Sequence, residues 1–261
     1  MDQLIKDFSL DYFNLKGKVA IVTGGNTNLG MCYAIAFAKA GADLFIPHFD
    51  DDIDELKEAA EEAGVRIEFY KGDLTDKAYR DTVVPKCIEL FGRLDILVNN
   101  AGISKGAPLE EMPEEWYQAE IELDLNVCWY MCRNAGLAMR KLGNGGKIIN
   151  IGSALSFTGS ASGSAYTIAK HGVIGLTKNM AAIFMQDNIQ VNAICPGFFD
   201  SPVNRGVPQK ARDEIARRLP GNVWGSPGEL MGTAVFLASE ASHHVSGVAI
   251  SVDGGFAANY F

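Results

Sequence analysis

Cysteine is scarce in this chain: five residues, Cys32, Cys87, Cys128, Cys132 and Cys195, with no CxxC pair and no His/Cys cluster at zinc spacing. The odd count excludes a disulfide framework, and no metal is assigned. Positive charge is also short. Lys and Arg total 23 against 32 Asp and Glu, a net charge of −9, which opposes partners gripped through phosphates, nucleic acid and anionic membrane surfaces alike. No apolar run approaches the roughly 20 residues that span a bilayer. The opening "MDQLIKDFSLDYFNLKGK" lacks the basic start and apolar stretch of a secretory signal. The expected compartment is the cytoplasm.

Internal repeats and low-complexity tracts are absent too, so residues 1–261 are expected to form a single domain. What is present is alternation. The apolar runs "VAIVT", "DLFI", "RIEFY", "LDILVNN", "KIINIGS", "IQVNAI" and "VAISVDG" are each followed by a segment of helical period, except the last. Helices are expected at about 29–40, 51–63, 76–91, 114–141, 164–185 and 227–239, with Asp51 and Thr75 among the start signals. Strands separated by helices imply crossovers, hence an α/β, doubly wound, parallel seven-stranded sheet. Residues 198–227, scattered with Pro and Gly, follow the sixth strand. At that end of an open sheet ligands bind, so this stretch is expected to close over substrate, with a plain surface insertion as the alternative.

The first strand runs into "TGGNTNLG". Such a turn points backbone N–H groups and a helix dipole at a pyrophosphate, with Gly24 and Gly30 in the turn. Glycine turns also join strands to helices without any ligand, so neighbouring strand ends must decide. "GDL" brings Asp73 and Leu74, and "NNAG" brings Asn100, Ala101 and Gly102, small and amide residues suited to an adenosine pocket. Asp73 serves equally as a helix cap near Thr75. Together these define a Rossmann-type arrangement. At the end of the second strand stand His48 and the acids Asp50, Asp51 and Asp52, with no Arg or Lys expected nearby. A 2′-phosphate is disfavoured there, so NAD is expected over NADP. A solvated helix-capping role for the acids stays open.

The strongest chemical signal is "SALSFTGSASGSAYTIAK". Tyr166 and Lys170 are four apart on one helix, hence on one face. Ser153 ends the fifth strand and can converge with them. Reducing a carbonyl by hydride transfer puts negative charge on oxygen, which needs a proton donor. A nearby ammonium makes a phenol able to work in both directions, and Ser153 would bond the substrate oxygen. Tyr-x-x-x-Lys also arises by chance on half-exposed helices.

Over about Leu15 to Phe256 the chain resembles the short-chain dehydrogenases/reductases, through "TGGNTNLG", "GDL", "NNAG", "LDLN", "SALSF", "YTIAK", "PGFFDS" and "VDGG". The resemblance implies a catalytic tetrad of Asn126, Ser153, Tyr166 and Lys170, with Asn126 distorting its helix so that a carbonyl holds a relay water. It implies dinucleotide contacts from Gly24, Asn26, Asn28, Leu29, Gly30, His48, Asp73, Leu74, Asn100, Ala101, Gly102, Tyr166 and Lys170. Pro196, Gly197, Phe199 and Ser201 would face the nicotinamide carboxamide. It further implies a homotetramer. Asn28 departs from the pattern, where a glycine is usual; Asn tolerates positive φ best among the other residues.

"GNGGKIINIGSALSFTG" and "WGSPGELMGTAVFLASEAS" most resemble 2-dehydro-3-deoxy-D-gluconate 5-dehydrogenases and gluconate 5-dehydrogenases, implying a small-molecule sugar-acid substrate. Substrate contacts are then expected from Ser153, Leu155 and Tyr166, with Lys105 and Arg205 pairing a carboxylate or standing as surface charges. A hydroxysteroid dehydrogenase, its pocket built from Phe157, Phe198, Phe199 and Trp224, and a 3-oxoacyl carrier protein reductase are the enzymatic alternatives. A cofactor-sensing scaffold protein is the non-enzymatic one.

Overall fold

The computed structural model describes residues 3–51 and 53–258. The seven apolar runs pair as β1 (Val19–Val22), β2 (Asp43–His48), β3 (Ile67–Lys71), β4 (Ile96–Asn99), β5 (Gly146–Ile151), β6 (Ile189–Pro196) and β7 (Ala249–Val252). All neighbours are parallel, in the order β3-β2-β1-β4-β5-β6-β7. Every residue of β1, β4 and β6 is buried, because helices cover both faces of the sheet.

On one face α4 (Lys77–Phe91), α6 (Val127–Leu142) and α7 (Ser164–Phe184) pack Val83, Met131 and Phe184 against Ile21, Phe45 and Leu97. On the other, α2 (Asn28–Lys39), α3 (Asp54–Ala63) and α9 (Met231–Ala238) pack Phe37, Leu56 and Leu237 against Ala20, Leu44 and Ile96. The chain builds outward from β1 to β3, then returns to β4 beside β1. That reversal leaves a crevice at the carboxyl ends of β1 and β4.

Several boundaries differ from the sequence pattern. The segment expected as one helix over 114–141 is α5 (Glu114–Ile121), then a widened π-turn at Glu122–Asn126, then α6. A period-3.6 pattern does not register one extra residue in a turn. α3 opens at Asp54 rather than Asp51, and α4 is capped by Asp76, whose carboxylate accepts from the Ala78 N–H at 2.9 Å. Residues 198–227 hold structure of their own, including α8 (Gln209–Ala216). Short helical turns at Gln3–Asp7, here α1, and Leu10–Phe13 have no apolar periodicity to reveal them. No helix among the described residues is long and apolar enough to cross a membrane.

Candidate active site

The turn after β1 is stitched to the end of β4. Thr23 Oγ accepts from the N–H groups of Asn100 and Ala101, both at 3.0 Å, and the Asn100 amide donates to the carbonyls of Thr23 and Gly24 at 3.0 and 3.2 Å. Asn100 is thus spent on holding two loops together, and Thr23, which sequence reasoning passed over, is its partner. Gly24 has φ of +60° and Asn28, at the first position of α2, φ of +51°. The Asn that replaces the usual glycine therefore takes the left-handed conformation. Thr27, the residue before α2, makes no side-chain capping bond, and the first helical residues Asn28 and Leu29 line a cavity of about 1220 Å³ together with Gly24 and Asn26. Gly30 does not line it; a Cβ there would collide with the Gly24 carbonyl and the Asn100 amide. Its role is close approach of helix to turn.

His48, Phe49 and Asp50 form one end of the same cavity. His48 is buried, and its Nδ1 donates to the Asp50 carbonyl at 2.8 Å, while the Asn26 amide donates to that same carbonyl at 3.2 Å. The expectation that no basic side chain stands near is corrected by pairing. Register sets Lys71 beside His48, and its Nζ lies 2.5 Å from Asp51. This ion pair, with its hydrogen bond, holds the Asp51 carboxyl below the usual range. Asp52 lies outside the described residues. Asp73 and Leu74 line the cavity. Asp73 accepts from the N–H and hydroxyl of Thr75 at 2.8 and 2.7 Å, closing a local turn rather than capping α4.

Ser153, Tyr166 and Lys170 meet at the far side of this cavity. Ser153 opens a helical turn and accepts from the Leu155 N–H at 3.1 Å. Ser156 donates to the Lys170 carbonyl at 2.8 Å, locking that turn to α7. Lys170 is buried, with Nζ 5.3 Å from the Tyr166 ring centre, 3.0 Å from the Ile151 carbonyl and 2.9 Å from Asp124 Oδ1. Burial alone would lower its pKa, but the Asp124 carboxylate and Tyr166 hold it above the ordinary value.

The residue that reaches Lys170 from the π-turn is therefore Asp124. Asn126, expected to distort its helix so that a carbonyl holds a relay water, ends the π-turn and lies at the cavity wall with its amide donating to Glu122 at 2.7 Å. The five-residue step from the Val127 N–H to the Glu122 carbonyl widens the helix at this point, and residues 124 and 126, two apart, point to different faces.

Gly102, Leu155, Pro196, Gly197, Phe198, Phe199 and Ser201 complete the wall. Lys105 and Arg205 do not join it: Lys105 lies over the Trp116 ring at 5.4 Å, and Arg205 is exposed. Of the four aromatics of the steroid alternative, only Phe198 and Phe199 line the cavity. Trp224 instead packs on Phe198 and Arg212, at 5.6 and 4.3 Å, and Phe157 is exposed. The 198–227 segment is tied down by Arg212–Asp200 at 2.9 Å and by a bridge between Phe199 and Gly225.

A glycine turn at a strand reversal and a Ser, Tyr and Lys around one large cavity define a dinucleotide-dependent oxidoreductase. Residues 25–257 match a family model described as enoyl-(acyl carrier protein) reductase. The chain is 41% identical over 252 residues to the uncharacterized oxidoreductase YgcW of Escherichia coli (strain K12), covering 95% of this chain and 96% of that protein. It is 40% identical over 250 residues to the 2-dehydro-3-deoxy-D-gluconate 5-dehydrogenase of Bacillus subtilis (strain 168), covering 94% and 97%. The crystal structure of a gluconate 5-dehydrogenase from Burkholderia cenocepacia J2315, in complex with NADP and tartrate, superposes with a TM-score of 0.91 at 32% identity, covering 97% of this chain and 100% of that one. The protein belongs to the short-chain dehydrogenase/reductase family and is an NAD(P)-dependent alcohol dehydrogenase.

Proposed function

We propose that the protein interconverts a secondary alcohol and a ketone on a sugar acid such as 2-dehydro-3-deoxy-D-gluconate, using NAD(H). The observation that carries this is the placing of Ser153, Tyr166 and Lys170 on one cavity with the β1–α2 turn. At about 1220 Å³ it exceeds what a single small ligand needs, and suits a dinucleotide with a substrate beside it.

Gly24, Asn26, Asn28 and Leu29 would hold the pyrophosphate, with Gly30 admitting the helix. Asp73 and Leu74, with Asn100, Ala101 and Gly102, would flank the adenosine. Pro196, Gly197, Phe199 and Ser201 would meet the carboxamide. A bound nicotinamide supplies or accepts the hydride. The Ser153 hydroxyl donates to the substrate oxygen, Tyr166 gives that oxygen its proton, and the Lys170 ammonium stabilises the phenolate left behind.

His48, Phe49 and Asp50 at the ribose end, with Lys71 engaged by Asp51, favour NAD. The NADP in the Burkholderia relative favours NADP as a second reading. Among the described lining residues Lys170 is the one lysine or arginine, so Ser104, Gln118 and Asn204 are the partners left for a substrate carboxylate. Relatives named for 3-oxoacyl and 3beta-hydroxysteroid substrates keep those two in the trial.

Free cysteines, four of them buried, fit a reducing cytoplasm. Exposed Trp129 and Leu137 on α6, with Ile168 and Ile183 on α7, fit burial in a homotetramer. Initial rates with NADH and NADPH on 5-keto sugar acids, acetoacetyl thioesters and keto-steroids test the reading. Turnover of the sugar acids with NADH is expected; turnover confined to the thioesters or steroids overturns the substrate, and no turnover overturns the function.

A further inference from the structure

Two carboxyls that the mechanism above does not use are packed beside Tyr166 and Lys170. Asp124 is 2% exposed and Glu120 fully buried, four residues apart where α5 passes into the π-turn. Asp124 Oδ1 faces Lys170 Nζ at 2.9 Å, and Oδ2 accepts from the Ile103 N–H at 3.0 Å. The fit is tight, since a Cβ at Gly102 would strike the Asp124 carboxylate. One Glu120 oxygen accepts from the Lys105 N–H. Lys170 Nζ donates to the Ile151 carbonyl and stands against Asp124 as an ion pair.

We propose that Asp124 is a positioning residue that clamps Lys170 as an ammonium beside Tyr166 and offsets its charge, so that the pair keeps its proton and ketone reduction extends to higher pH. The inference rests on the function proposed above. With Asp124 in place, ammonium and carboxylate sum to zero, and ionising Tyr166 buries a net negative charge. With Asn at 124 the same ionisation leaves a neutral ammonium–phenolate pair. The first proton of this coupled pair therefore leaves at lower pH once the carboxylate is gone.

The other titratable groups facing the pair are Cys128 of α6, Tyr33 of α2 and Cys195 of β6, the last also feeling Asp253. Burial pushes the Cys195 thiol up to about 11 and the Tyr33 phenol higher still, so both stay neutral at working pH. Glu120 is raised by burial and by Asp124, against the N–H groups of Lys105 and Tyr166 and the charge of Lys105. It adds no positive charge to compensate for a lost Asp124.

The test compares wild type, Asp124→Asn and Asp124→Glu, with Tyr166→Phe as the blank. One arm titrates phenolate ultraviolet absorbance of the folded protein; the other follows kcat/KM for ketone reduction against pH. Asp124→Asn is expected to form the Tyr166 phenolate about one pH unit lower, with the alkaline limb of kcat/KM moving alongside, whereas Asp124→Glu stays with wild type. A merely structural Asp124 would cost stability and leave both curves in place. Coincident phenolate titrations of wild type and Asp124→Asn overturn the proposal. If Asp124→Asn does not fold, Asp124→Ser, which leaves room for water at Lys170, is read the same way. The absorbance arm needs no substrate, so a protein that reduces no ketone overturns the function while this proposal is still decided.

Discussion

Tyr166 and Lys170 were legible as a pair because four residues on a helix always share a face, whatever surrounds them. Substituting Tyr166→Phe removes the proton donor and leaves the ring, so kcat for ketone reduction is expected to fall by about 10²- to 10⁴-fold with little change in thermal stability; steady-state rates and a melt on the same preparation check this. Lys71 was not legible. It sits 23 residues after His48 and reaches Asp51 only because β2 and β3 pair in parallel. Releasing that lysine by Asp51→Asn should raise kcat/KM for NADPH relative to NADH about threefold to tenfold, a screened surface effect. An unchanged ratio would show that Lys71 does not sense the ribose. Lys105 and Arg205 stand off the cavity wall for a related reason: sequence position near a strand end says nothing of where a long flexible side chain is drawn, and Trp116 draws Lys105.

Among the elements, α2 and the α5–α6 helix carry the clearest lessons. Left-handed backbone at Asn28 was foreseeable from residue type, and its φ of +51° bears that out. Asn28→Gly is therefore expected to bind dinucleotide at least as tightly as wild type. Asn28→Ala is expected to lose about 1 kcal/mol of stability, because alanine keeps the Cβ but lacks the short amide that eases the left-handed conformation; calorimetry and cofactor titration separate the two. The π-turn at Glu122–Asn126 has no residue signature of its own. Apolar periodicity reads straight through it, and only the resemblance, through Asn126, pointed to a distorted helix there; that Asp124 faces Lys170 was not foreseen. The order of elements, by contrast, was plain, since each buried parallel strand is a short β-branched run that nothing else in the chain imitates.

For the whole molecule, burial at the amino ends of the strands sets a pH dependence of stability. Lys147 on β5 is buried and donates to Ser242 at 3.2 Å, and burial, with Lys18 adding and Glu240 opposing, brings its pKa down to about 8. The native state binds fewer protons than the unfolded chain between about 8 and the ordinary lysine value, so this group's contribution to stability rises with pH across that window. Lys147→Met should be more stable than wild type at neutral pH, the gap closing as pH rises through 8 to 10; denaturant melts at three pH values check the slope. Burying the net negative chain into one sheet also decides what meets what. The succession of strands and helices, the glycine turn, the Ser-Tyr-Lys spacing and the net negative charge follow from residue types and their periods, which are local properties. Which carboxylate faces Lys170, that Asn100 ties two loops together, and that Lys170 is the one lysine or arginine among the described residues of the cavity wall were decided by tertiary structure alone. Those contacts join residues tens of positions apart, and only the parallel pairing of strands and the single widened helical turn bring them within reach.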